Sequence, residues 1–182
     1  MTIPGLPRVR RESRPGSELL VLENRRIRVT ISPDHGAAIL GFEDLARGFD
    51  VIWRNPLLPP PPRPLAQPVE GYSDLYDGLD GSWFTSLPAG FFPTNYFGAP
   101  IGAHGEFRAL SFATEILEEE PERVRVKVTA RSVRTPFVLE RTWELARDSA
   151  VLRWEETLTN RSDRPRPVAW LQHPMFGGEL LH

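Results

Sequence analysis

Four histidines carry the proton-transfer capacity of this 182-residue sequence: His35, His104, His173 and His182. An imidazole titrates near neutral pH, so a positioned pair of them suits general acid–base work. His182 is terminal, and His35, in "SPDHGA", reads as a surface turn residue. His104 and His173 have the stronger claims. Each follows aromatic and apolar residues, and each adjoins a residue that fixes backbone shape, Gly105 or Pro174. The pair could move protons, or it could ligate a metal with Glu106 as third ligand. In "HGE", His104 and Glu106 are two apart, which on a strand puts both on one face. Taken singly, each is also what a hydrogen-bonded, partly buried imidazole looks like.

Aromatic residues offer a second kind of chemistry. A sugar presents an apolar C–H face ringed by hydroxyls, which an aromatic floor with polar edges would suit. Of five tryptophans, Trp143 and Trp154 lie in alternating segments and read as core. Trp83 and Trp170 neighbour the candidate histidines, and for them a binding floor and core packing are equally good readings. There is no Walker-type Gly-Lys-Ser/Thr, no dinucleotide glycine fingerprint and no serine in a nucleophile elbow.

The elements that must position these residues read as strands. In "LLVLENRRIRVTIS" the residues Ile27, Val29 and Ile31 alternate with Arg26, Arg28 and Thr30, a period of two. "GAAILGFEDL" and "DVIW" continue the pattern. "VRVKVTA" sets Val124, Val126 and Val128 against Arg123, Arg125 and Lys127. "PFVLERTWELA" and "AVLRWEETLTN" flank a hairpin turn at Arg147-Asp148-Ser149, and "NRSDRPRP" is a second turn before "VAWLQHPMF". "EEEPER" (118–123) reads as a solvated turn. Residues 1–18 form a loose lead-in, and the proline-rich 56–68 a long surface loop in polyproline II. The glycine- and aromatic-rich 71–109 lacks clean periodicity and reads as binding loops. With 19 prolines, 14 glycines and no convincing helix, the class is all-β.

Composition narrows the partners. Apolar residues at 40% and charged residues at 25% fit one globular domain. A net charge of −2 gives no general attraction to nucleic acid or to an anionic membrane. With no cysteine, disulfides and thiolate metal sites are excluded. No leader and no spanning apolar run is seen, so the expected location is cytoplasmic.

With these motifs in order, the chain resembles the aldose 1-epimerase family of the galactose-mutarotase-like superfamily. "GSWFTSLPAGFFPTNYFGAPIGAHGEF" is similar to the family's glycine–aromatic loop leading to a first site histidine. "RTWELARDSAVLRWEETLTNRSDRPRPVAWLQHPMF" is similar to its paired strands, its turn and the His-Pro-x-Phe that carries the second. The resemblance covers residues 19–182 and implies a large antiparallel β-sandwich. It implies interconversion of the α and β anomers of a hexose or hexose phosphate by ring opening, with no metal or organic cofactor. His173 matches the acid and His104 the residue that holds and polarises the sugar. Trp83, Glu106, Trp170 and Phe176 are then expected to contact it. The family's glutamate base lies in a C-terminal half with no counterpart here. The expectation is therefore a truncated sandwich, completed by a homodimer partner, a complementing C-terminal chain, or a local carboxylate, Glu106 or Glu179. A non-catalytic carbohydrate-binding protein is the alternative.

Overall fold

The computed structural model describes residues 5–14, 17–55, 81–177 and 180. Alternation dictates most of it. Strands β1 (Arg8–Arg14), β2 (Ser17–Glu23), β3 (Ile27–Ser32) and β4 (Ala38–Asp44) pair antiparallel in chain order. The two-residue β5 (Phe49–Asp50) and β6 (Trp83–Ser86) both pair with the edge of β4 that faces away from β3. β13 (Leu171–Pro174) completes this seven-stranded sheet by pairing with β6. A second sheet of four strands comprises β9 (Ala113–Glu120), β10 (Arg123–Arg131), β11 (Phe137–Ala146) and β12 (Leu152–Asn160). A ribbon of β7 (Thr94–Tyr96) and β8 (Ala99–Ile101) and a 3-10 turn at Phe107–Ala109 fill the connection before β9. Among the described residues there is no α-helix.

The two sheets face one another across a single apolar layer. Leu20, Leu22, Val29, Ile31 and Ile39 of the larger sheet meet Val124, Val126, Val128, Leu139, Trp143 and Leu145 of the smaller. All are fully buried or nearly so. Each such side chain contributes roughly 1.5–3 kcal/mol relative to exposure. The larger sheet also carries a small apolar patch on its outer face: Leu19, Ala38, Leu40 and Phe84. Asn24 ties the sheets at one end. Its Oδ1 accepts from the amides of Arg26 (2.8 Å) and Ile27 (2.9 Å), while Nδ2 donates to the carbonyls of Ala146 (2.6 Å) and Ser149 (2.8 Å).

Several expectations change here. The lead-in is, over Arg8–Arg14, a paired edge strand, because alternate arginines find partners: Arg8 and Arg10 both reach Glu23. The aromatic-rich segment contains the interior strand β6, too short for its period to register in the sequence. The "NRSDRPRP" turn is built on Asn160, which accepts from Ser162 N and donates to the Arg164 carbonyl. It carries the chain from the smaller sheet across to the larger. The loop 56–68 lies outside the described residues.

Leu139→Ala should lower the unfolding free energy by about 2–5 kcal/mol. Val133→Ala, at a side chain 73% exposed, should stay within about 0.5 kcal/mol. Urea denaturation midpoints of the two variants check the assignment of the inter-sheet core.

Candidate functional site

His104 and His173 come together on the outer face of the larger sheet, with ring centroids 5.1 Å apart and planes at 84°. Strand alternation delivers His173. In the β6–β13 register, His173 stands opposite Phe84, and the two rings stack at 4.8 Å. Ser86, two residues along the same face of β6, places its hydroxyl 3.0 Å from His104 Nδ1, with either group able to donate according to the ring tautomer. Phe91, half exposed, sets its ring 5.3 Å from His104 and 6.0 Å from His173. His173 Nδ1 is buried and has no hydrogen-bond partner.

A tight turn rather than a strand delivers His104. Its φ is +63° and that of Gly105 is +76°, both in the left-handed region where a non-glycine residue is strained. The turn is fixed by His104 N donating to the Gly90 carbonyl (2.7 Å) and Gly105 N to that of Gly102 (3.1 Å). A Cβ at Gly105 would lie 2.1 Å from the Leu87 carbonyl oxygen, so only glycine fits. Because this is no strand, the two-residue spacing of "HGE" does not put Glu106 beside His104. The Glu106 carboxylate instead accepts from Ser132 Oγ (2.7 Å) and from the amides of Val133 (2.5 Å) and Arg134 (3.0 Å). It clamps the β10–β11 loop. The three-ligand reading of His104, Glu106 and His173 fails for the same reason. Among the described residues no three histidine or carboxylate side chains gather as a metal would need.

Trp83, Trp170 and Phe176 also change place. Trp83 alternates with Phe84 and so points between the sheets, where it packs edge-on against Trp154 (4.7 Å) and Phe176 (5.9 Å). Trp170 donates its indole N–H to Glu156 Oε2 (3.1 Å), on that same inner side. Neither indole floors the histidine pair. Arg108, by contrast, belongs with the pair: it is buried, and its guanidinium lies 5.2 Å over the Phe84 ring. His35 is buried rather than superficial, because the neighbouring Gly36 abuts the Arg108 backbone. Phe84, Ser86 and Phe91 were not singled out in the sequence. The one signal that could have found two of them is a strand reading of "WFTS".

Electrostatics bears most strongly on His104. Burial pushes the His104 pKa down from 6.5 to about 4, and the nearby His173 and Arg108 push the same way. His104 is therefore neutral at pH 7. Burial, then Arg108, lowers the His35 pKa as well.

The architecture around this pair has close counterparts among solved structures. A candidate aldose 1-epimerase from Klebsiella pneumoniae subsp. pneumoniae superposes with a TM-score of 0.70 at 18% identity, over 88% of this chain and 44% of its own. A galactose mutarotase-like protein from Clostridium acetobutylicum gives 0.65 at 12% identity, over 94% and 54%. A galactose mutarotase related enzyme from Lactobacillus acidophilus gives 0.58 at 20% identity, over 87% and 48%. The fold is the galactose-mutarotase-like β-sandwich. The chain spans about half the length of these neighbours. Neither a family model nor a curated protein matches the sequence. In this galactose-mutarotase-like sandwich the histidine pair occupies the outer face of the larger sheet, against its apolar patch.

Two outcomes follow. A folded-state pKa depressed from 6.5 to about 4 means that stability is fully present above the unfolded value and falls as pH drops through that window. Urea unfolding between pH 7 and 4 should show this fall, and His104→Asn, which tolerates the same φ, should show less of it. Gly105→Ala should destabilise the chain by about 2 kcal/mol or more through strain and the Leu87 clash, with amide shifts centred on residues 87–90 and 104–107.

Proposed function

We propose that this chain carries the histidine half of a mutarotase-type site and interconverts the α and β anomers of a hexose or hexose phosphate. The observation that carries the reading is the perpendicular His104–His173 pair beneath the exposed Phe91 ring, in a sandwich shared with mutarotase-like neighbours. Anomerisation needs a base to take the proton from the anomeric hydroxyl and an acid to protonate the ring oxygen. The ring then opens, the carbonyl carbon turns, and closure returns either anomer. His173 is the acid. His104, neutral at pH 7, serves as a hydrogen-bonding residue, its ring held by Ser86, which suits holding and polarising the sugar. Phe91 offers an apolar surface to the C–H face.

The base is sought outside the described residues. Glu106 is committed to the β10–β11 loop, and Glu179 is outside the described residues. A homodimer partner or a complementing C-terminal polypeptide would bring a carboxylate along the edge of β13 that pairs with no described strand, β13 being the strand that carries His173. No described helix is long and apolar enough to cross a membrane, and the proposed setting is the cytoplasm. The engagement of Glu106 with the β10–β11 loop favours one alternative, a sugar-binding protein without turnover.

Polarimetry of freshly dissolved α-glucose and α-galactose separates the two. Acceleration by the wild-type chain, reduced about 10²–10⁴-fold in His173→Ala, is the expected outcome. Binding without acceleration, weakened but retained in His173→Ala, would replace the enzyme reading with the binding one.

A further inference from the structure

We infer that the buried Arg141–Glu156 pair, which touches neither histidine, is the positioning device that fixes His173 against His104. The inference rests on reading these two histidines as the site. Arg141 stands on β11 and Glu156 on β12, both in the smaller sheet, and their side chains are 3% and 9% exposed. The Arg141 Nε donates to Glu156 Oε1 at 2.6 Å. Among the described residues, their other side-chain hydrogen bonds lead across to the larger sheet and its flanking residues. Arg141 donates to the Ala37 carbonyl (2.9 Å), just before β4, and to Thr85 Oγ1 on β6. The Thr85 hydroxyl also reaches Glu156 Oε1 (3.2 Å). Glu156 Oε2 accepts from Gln172 Nε2 on β13 (2.8 Å) and from the Trp170 indole (3.1 Å).

Those contacts fall on the residues that set the site. Thr85 and Gln172 are cross-strand partners, and the adjacent pair in the register is Phe84 and His173. Thr85 and Gln172 also bond each other directly, Gln172 Nε2 donating to Thr85 Oγ1 at 3.1 Å. β13 is a four-residue edge strand whose only described sheet neighbour is β6. A strand that short frays readily unless its side chains are held. Stability alone does not account for the pair, because a buried ion pair is commonly no better than an apolar pair of the same volume. What apolar residues could not do is hold Thr85, Gln172 and the Ala37 carbonyl at once. The ion pair does so, and alternation passes the constraint through β6 and β13 to the opposite face.

The test is the double variant Arg141→Met/Glu156→Leu, with Gln172→Ala as a second variant that leaves the ion pair whole. Native-state hydrogen exchange and histidine NMR titration are followed in each. The expected result is an unfolding midpoint held or raised in the double variant and β13 amides exchanging at least tenfold faster, with β10 amides unchanged. The His104 titration should also move from about 4 back toward the ordinary histidine range. If the double variant fails to fold, Gln172→Ala alone should give the same β13 and His104 changes. Wild-type β13 protection and His104 titration in a folded variant would overturn the inference. Neither readout needs turnover, so a wild-type chain inactive in polarimetry would sink the enzyme reading and leave this test intact.

Discussion

The constraint on which the rest depends is the register of two short strands. β6 and β13 pair over four residues, and because side chains alternate, each strand presents two unlike faces. Phe84, Ser86 and His173 look outward, while Trp83, Thr85 and Gln172 look between the sheets. A slip of one residue would put the polar Thr85 and Gln172 among Leu19, Ala38 and Leu40, and would bury His173 against Trp154. Both exchanges strand polar groups without partners, so the inner hydrogen bonds and the outer stack specify the same register.

Charge placement reinforces this two-sided design. Among the described residues each face has one buried arginine. Arg141, inside, has its pKa lowered by burial, with Glu156 opposing that shift. Arg108, outside, lies against Phe84 and adds its positive field to His104. The consequence for chemistry is a division between two residues of one type. The deeply placed His104 stays neutral, hydrogen-bonded to Ser86, and strained in its backbone. His173 lies on a regular strand and keeps a ring nitrogen without a partner. Two identical side chains thus sit in unlike surroundings.

What the sequence disclosed followed the range of the interactions involved. β10, β11 and β12 are hairpin-connected and nine or ten residues long, with one face buried in β10 and β11 and half-buried in β12, so their alternation showed directly. The two histidines were also legible, because flanking residues that restrict the backbone mark a fixed position. The faces were not. Whether Trp83 looks in or out depends on a partner 91 residues away, Pro174, and no local pattern reveals it. Glu106 misled because a His-x-Glu spacing means one face only on a strand, and positive φ at His104 and Gly105 removes that premise. His35 reads as a surface residue from its local sequence, since its burial arises where the turn before β4 meets the 3-10 turn some seventy residues later. Charged runs hid β1 because its arginines alternate with nothing apolar except Val9.

The smaller sheet contributes no member of the histidine site, yet it holds both histidines. It reaches His173 through Glu156 and Gln172, and His104 through the β10–β11 loop, whose Ser132 hydroxyl and two amides grip Glu106 two residues beyond that histidine. Both connections are carboxylate bonds made by residues with no direct contact to either imidazole. Each histidine is thus anchored to the same rigid, hairpin-built layer by a separate route, one through a strand and one through a turn. A pair of rings on a loop and an edge strand of the larger sheet would otherwise move independently. Tying both to one layer fixes their separation and their perpendicular setting.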